Sequence, residues 1–284
     1  MKSFLPIIVL ALGSALCQAQ TPNPSADPSA SQPSPATSPA ATAAAPQPSR
    51  TPPPAVSSVT HKTPPTQPEM RNGKWEARAL ANTASALAQS ASIDVVFDGD
   101  SITDFWQRAG LKVWTTAFAN YHPFDFGISG DTTQNLLWRL AHGQAAGLHP
   151  KVILLMIGTN DMKYTSSPED IAGGVGEIIR QYRTICPDAV IILQAIFPRG
   201  PLPTDPYRLK VNATNALLAK LGDGSKVIYL DFGAKFLGSD GTLSKDIMPD
   251  FLHPTEKGYQ IWADAVSPLL KKYVPASTPA SSPK

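Results

Sequence analysis

Five short, nearly unbroken apolar runs, at 93–97, 124–128, 152–157, 190–193 and 227–230, constrain the fold of this chain more than any other feature. They are rich in β-branched and aromatic residues and too short for helices, so they read as strands. A strand with one wet face alternates apolar and polar residues. These runs do not, which requires cover on both faces of the sheet. Helical patterns fall between them, at 75–89, 132–145, from Ser167 onward, at 212–221 and at 256–273. Asp131 is the expected cap of the second. Ser167 caps the third with Pro168 at its first position, and its apolar stripe is Ile171, Val175, Ile178, Ile179 and Tyr182. Strand and helix in alternation predict an α/β domain, a three-layer α/β/α sandwich of flavodoxin-like type around a five-stranded parallel sheet.

Composition divides the rest of the chain. Residues 1–19 carry Lys2, an apolar stretch from Phe4 to Leu16 and small residues ahead of Gln20, the pattern of a cleaved signal peptide. The apolar stretch is shorter than the roughly 20 residues a membrane span needs. A lipid anchor at Cys17 is disfavoured by the bulk of Leu16. Residues 20–68 are almost entirely Pro, Ala, Ser, Thr and Gln, and such a segment cannot bury enough apolar surface to offset its ordering entropy. It reads as a disordered tether, and the tail 275–284 repeats its character. The packed domain is expected over 69–274, and the protein is expected to be secreted or periplasmic. Of the two cysteines, one lies in the signal, so Cys186 has no partner for an intrachain disulfide. Formal net charge is only +2 and no basic stripe is visible, which argues against a nucleic-acid partner.

In open parallel sheets, ligands bind beyond the carboxyl ends of the strands. The first run leads into Gly99-Asp100-Ser101, the second into Gly127 through Thr133, the third into Gly158-Thr159-Asn160-Asp161. Near the end of the chain, Asp250 and His253 stand three positions apart between Pro249 and Pro254. A serine hydroxyl is a weak nucleophile and needs a base, and a base histidine needs an acceptor on its other nitrogen. Ser101, His253 and Asp250 supply this set. The backbone N–H groups of Ser101 and Gly130 and the side-chain amide of Asn160 are the expected oxyanion donors. Gly130 is preferred to Gly127, which should still lie at the strand end.

Gly-Asp-Ser, Ser-Gly-Asp, Gly-x-Asn-Asp and Asp-x-x-His, in this order and spacing, resemble the SGNH (GDSL) hydrolase family over about residues 90–270. The stretches FGISGDTTQNLLWRL, KVILLMIGTND, FPRG and DFLHPTEKGY are similar to the branch of the catalytic subunits of platelet-activating factor acetylhydrolase. The resemblance implies an ester hydrolase with Ser101 as nucleophile, His253 as base, Asp250 as its partner and Ser101, Gly130 and Asn160 as the oxyanion hole. It implies no cofactor and no metal. It also implies a possible homodimer, since the related subunits pair. Those subunits are intracellular, whereas this chain begins with a signal-like segment.

A lone Gly-Asp-Ser carries little weight; four blocks in order carry much more. The G-x-S-x-G elbow fails because Thr103 stands at the last glycine, and neither a Walker loop nor an HExxH or paired CxxC motif occurs. His61, His122, His142 and His149 read as solvated or capping residues, and Trp106, Trp114, Trp138 and Trp262 as helix packing. Arg199 is expected in a loop ion pair, Asp161 as a brace for the Asn160 loop, and Cys186 as apolar filler. Asp98, an acid inside an apolar run, has no explanation at this level. Ile102, Thr159 and Leu252 flank the reactive positions and would wall an acyl pocket sized for acetyl. The expected substrate is therefore a small acyl ester or an acetylated polysaccharide, the latter suited to a tethered secreted domain. A lysophospholipase or thioesterase of the same type, or a carbohydrate-binding domain without catalysis, are the alternatives.

Overall fold

Parallel pairing of five strands organises the computed structural model of the chain, which describes residues 63–274. The signal-like segment, most of the expected tether, His61 and the C-terminal tail lie outside the described residues. The strands are β1 (Val95–Gly99), β2 (Pro123–Asp125), β3 (Val152–Met156), β4 (Val190–Gln194) and β5 (Val227–Leu230). They lie in the order β2-β1-β3-β4-β5, all parallel. Among the described residues seven α-helices accompany them, besides short 3-10 turns: α1 (Gly73–Ala88), α2 (Ser101–Asp104), α3 (Leu111–Ala117), α4 (Thr133–Ala141), α5 (Pro168–Ile185), α6 (Pro206–Leu218) and α7 (Glu256–Tyr273). The expected α/β sandwich is present. Its switch point, where the chain order reverses, lies between β1 and β3, the place where open parallel sheets bind ligands beyond the strand ends.

The apolar runs lack alternation because the two faces bury equally. Val96, Ile153, Leu155, Ile191 and Leu193 face a cluster with Leu136, Leu137, Ile171, Val175, Ile178 and Val211 of α4, α5 and α6. Their neighbours Val95, Phe97, Val152, Leu154, Met156 and Ile192 face a second cluster with Val113, Tyr259, Trp262 and Val266 of α3 and α7. Each such side chain contributes about 1.5–3 kcal/mol on burial. The tryptophans pack as expected: Trp106 lies 4.4 Å from Tyr259 and 4.9 Å from Trp262, and Trp138 lies 5.1 Å from Trp75, ring centre to ring centre.

Several boundaries differ from the sequence reading, and α6 starts at Pro206, six residues ahead of the expected 212, with Asp205 as its cap. The first strand is displaced to 95–99. The second stops at Asp125, although the Phe126 and Ile128 N–H groups still donate to the Phe97 and Gly99 carbonyls at 2.8 and 3.3 Å. Helix α4 is capped by Thr132, in a reciprocal capping box with Asn135, and not by Asp131. The Asp131 carboxylate is taken instead by Trp75 and Arg139. Residues 63–68, assigned by composition to the tether, pack on the domain. The Gln134 side chain donates to the Thr63 carbonyl at 3.2 Å, and Pro65 sits so close to Gly174 that a Cβ there would lie 2.5 Å from the Pro65 oxygen. No helix among the described residues is long and apolar enough to cross a membrane.

Candidate active site

The end of β1 turns directly into the one-turn helix α2, and Ser101 is its first residue. The Asp100 carboxylate caps that turn, accepting from the Ile102 N–H at 2.9 Å. Gly99 serves close packing and not the turn, since a Cβ there would overlap the Met156 carbonyl and the Thr103 hydroxyl. Burial pushes the Asp100 carboxyl up to about 7, against the Ile102 hydrogen bond.

From the far end of the chain, the turn 248–254 delivers the histidine. Phe251 takes a left-handed φ of 58°, and the Leu252 and His253 N–H groups donate to Asp250 Oδ1 at 3.1 and 2.8 Å. Asp250 Oδ2 lies 2.6 Å from His253 Nδ1, and His253 Nε2 lies 2.9 Å from Ser101 Oγ. The three residues, separated by as many as 152 positions, form one hydrogen-bonded line. The imidazole stacks on Phe105, 5.0 Å between ring centres, which fixes its plane. Burial would raise the Asp250 carboxyl, but the His253 backbone and ring hydrogen bonds outweigh it and hold Asp250 below the usual range. A carboxylate that stays ionised keeps the proton on Nδ1 and leaves Nε2 free to accept from the serine.

The oxyanion candidates converge through a second set of bonds. Gly130 has φ +86°, which a side chain would strain, and the Arg71 guanidinium packs over it. Arg71 donates to the Ser129 carbonyl at 2.8 Å. Ser129 Oγ donates to Asp104, itself paired with Arg78 at 2.5 Å. The Asn160 amide donates to the Asp131 carbonyl at 3.0 Å, tying the loop after β3 to the residue following Gly130. One amide hydrogen of Asn160 then remains. The Ser101 and Gly130 N–H groups make no hydrogen bond among the described residues. Asp161 accepts from Thr133 Oγ1 at 2.6 Å and braces the Asn160 loop from below.

Beneath this sits a buried network that the sequence did not reveal. Arg139, fully buried, spans Asp98 at 2.9 Å through Nη1 and Asp131 at 2.9 Å through Nε. Nη1 also reaches the Phe126 carbonyl at 3.2 Å and the Gln144 side chain, and Nη2 reaches the Gly99 carbonyl at 3.2 Å. Gln144 and Tyr182 also hydrogen-bond Asp98, which accounts for the acid inside the first apolar run. Burial alone would lower the Arg139 guanidinium; Asp98 and Asp131 raise it above the ordinary arginine range. The spacing of Arg139 on α4 gave no hint of either partner.

The other sequence-derived residues divide. Ile102 and Thr159 are 1% and 2% exposed, so of the three expected acyl-pocket residues Leu252 keeps the most surface. Arg199 makes no ion pair among the described residues; it donates to the Thr159 carbonyl and lies over Tyr207. His122 does have a carboxylate partner, Asp94 at 3.0 Å, but the two residues precede β2 and β1, at the amino ends of the strands and away from the site. His142 donates from Nδ1 to the Trp138 carbonyl at 2.7 Å and stacks on the same ring. Cys186 is free and buried.

Fold and site together define a hydrolase of the α/β/α class whose catalytic loops hang from the carboxyl ends of a parallel sheet. The sequence profile of the GDSL-like lipase/acylhydrolase family matches residues 97–261. The chain belongs to this family and is a carboxylic ester hydrolase. It is 32% identical over 210 residues to platelet-activating factor acetylhydrolase IB subunit alpha1 of Rattus norvegicus, covering 74% of this chain and 88% of the relative. It is 40% identical over 167 residues to the alpha2 subunit of Homo sapiens, covering 58% and 71%. A GDSL-like lipase from Bacteroides thetaiotaomicron has the same fold, with a TM-score of 0.58, 23% identity and coverage of 70% and 97%.

Proposed function

We propose that the protein is a secreted serine esterase that removes short acyl groups, chiefly acetyl, from a polysaccharide. The observation that carries this reading is the line Ser101–His253–Asp250, with hydrogen bonds of 2.9 and 2.6 Å. Ser101 Oγ attacks the ester carbon while its proton passes to His253 Nε2. The oxyanion is met by the Ser101 and Gly130 N–H groups and the Asn160 amide. Collapse expels the sugar alcohol, which takes the proton back from Nε2. Water, deprotonated by the same nitrogen, then releases the acid and restores the serine. Asp250, ionised, steadies the imidazolium in both halves.

The restriction to short acyl groups is supported by the burial of Ile102 and Thr159, which leaves little room for a long chain next to the nucleophile. The polymer substrate is supported by the Pro-, Ala- and Ser-rich sequence ahead of the domain and the signal-like segment before it. A substrate fixed in a wall or matrix is suited to an enzyme on a leash. Hydrolysis of p-nitrophenyl acetate should exceed that of the octanoate, and acetylated polysaccharide should release acetate. Ser101→Ala should cut turnover at least about 10⁴-fold. Faster cleavage of the octanoate would sink the short-acyl claim, and undiminished turnover in the alanine variant would sink the serine mechanism.

A further inference from the structure

Two cations stand without counter-ions on the Asn160 side of the site. Arg199 Nη1 donates to the carbonyl of Thr159, the residue before Asn160, at 2.8 Å. Its guanidinium lies 4.1 Å above the Tyr207 ring, and the rest of its donor edge makes no hydrogen bond among the described residues. Lys163 ends the one-turn 3-10 helix Asp161–Lys163, which begins directly after Asn160, and its backbone N–H donates to the Asn160 carbonyl at 3.1 Å. Its ammonium has neither an ion pair nor a hydrogen bond among the described residues.

The acids around them are committed elsewhere. Asp250 holds His253, Asp161 holds Thr133, and Asp131 is shared by Trp75, Arg139 and Arg71. Asp205 caps α6 and Asp100 caps α2. The two cations also feel each other. Loss of hydration and then the repulsion of Arg199 hold the Lys163 ammonium below its ordinary range, with Asp100 opposing and Arg71 adding to the repulsion. Arg199 is lowered chiefly by lost hydration, while Tyr207, Asp100, Asp205 and Asp250 pull it the other way. Geometry sets both residues against the Asn160 loop, Arg199 on the Thr159 carbonyl before it and Lys163 on the Asn160 carbonyl itself. Like charges gathered with no anion between them cost free energy that a bound anion would return. A planar guanidinium with a free edge and a compact ammonium are the pair that suits a carboxylate.

We propose that Lys163 and Arg199 receive a carboxylate of the substrate, so that the preferred polymer is an acidic polysaccharide whose acetyl ester lies next to a uronate-type carboxylate. This rests on the polysaccharide esterase reading above and narrows it. The test uses the full chain and three acetylated polymers of matched acetyl content: polygalacturonate, the same polymer with its carboxylates methyl-esterified, and xylan. The kcat/KM for the acidic polymer should exceed both neutral ones by about tenfold at low salt, the scale of one charge-assisted contact. The preference should shrink in 0.5 M NaCl, by roughly the screening expected for partly exposed charges. Lys163→Glu, at an exposed position, should bring the ratio below one, and Arg199→Gln should reduce it, with p-nitrophenyl acetate turnover of each variant as the denominator. Equal rates on acidic and methyl-esterified polymer, with p-nitrophenyl acetate still cleaved, overturn the inference and leave the esterase standing. Preference for a lysophosphatidyl ester over the acidic polymer also overturns it. Failure to cleave any acetyl ester overturns both.

Discussion

Arg139 Nη1 lies 2.9 Å from the carboxylate of Asp98, three residues before Ser101, so a buried cation grips the strand that leads into Ser101. The same guanidinium holds Asp131, next to Gly130, at 2.9 Å. The Ser101 turn and the Gly130 loop are thereby tied to one buried guanidinium. Arg139→Met leaves two carboxylates in a dry interior, and unfolding in urea should show a loss of about 3–5 kcal/mol. A loss under 1 kcal/mol would mean that the network is not what holds these elements.

Asn160 has one amide hydrogen committed to the Asp131 carbonyl at 3.0 Å and one to spare. Asn160→Ala should lower kcat by about 10²–10³ with KM little changed, because the spare donor meets charge that exists only in the transition state. A rise in KM at constant kcat would place the amide in ground-state binding instead.

The Asp250 side chain is 53% exposed, although it bonds His253 at 2.6 Å. Water can substitute in part for a carboxylate so placed. Asp250→Asn should therefore cost less than the roughly 10⁴-fold seen when a buried triad acid is lost, and more than about tenfold. Saturating p-nitrophenyl acetate kinetics will read this directly.

Asp100 ties stability to pH. Its native carboxyl is pushed up to about 7 by burial, whereas an unfolded aspartate titrates near about 3.9. The native state thus binds the proton more tightly, and stability falls as pH rises between those values. Asn cannot ionise and can still cap α2. The stability advantage of Asp100→Asn over the parent should grow from pH 5 to pH 8, by at most about 2.6 kcal/mol. Denaturation midpoints that shift equally at both values would refute the assignment.

The sheet was legible because an unalternating apolar run admits few homes. Asp250 and His253 were legible because three residues of turn bring them together wherever the turn lies. Their meeting with Ser101 followed only from the rule that strand ends share an edge. The Arg139 network was not legible: its partners Asp98 and Asp131 lie 41 and 8 positions away, and no periodicity links them. The cap of α4 was misplaced for the same reason, since Asp131 is as good a cap as Thr132 until Trp75 and Arg139 claim it. Residues 63–68 are compositionally indistinguishable from what precedes them, and only contacts with Gln134 and Gly174 set them apart.

The Thr63–Gln134 contact has a geometric corollary. Gln134 is the second residue of α4, just past the Ser-Gly-Asp loop, so the described residues begin on the rim where Ser101 and His253 meet. Helix α7 starts after the histidine turn and runs 18 residues, about 27 Å, toward the opposite rim. A bulky fusion placed just ahead of Thr63 would crowd an incoming polymer, while a surface coupling through the carboxyl end would leave the working rim facing outward.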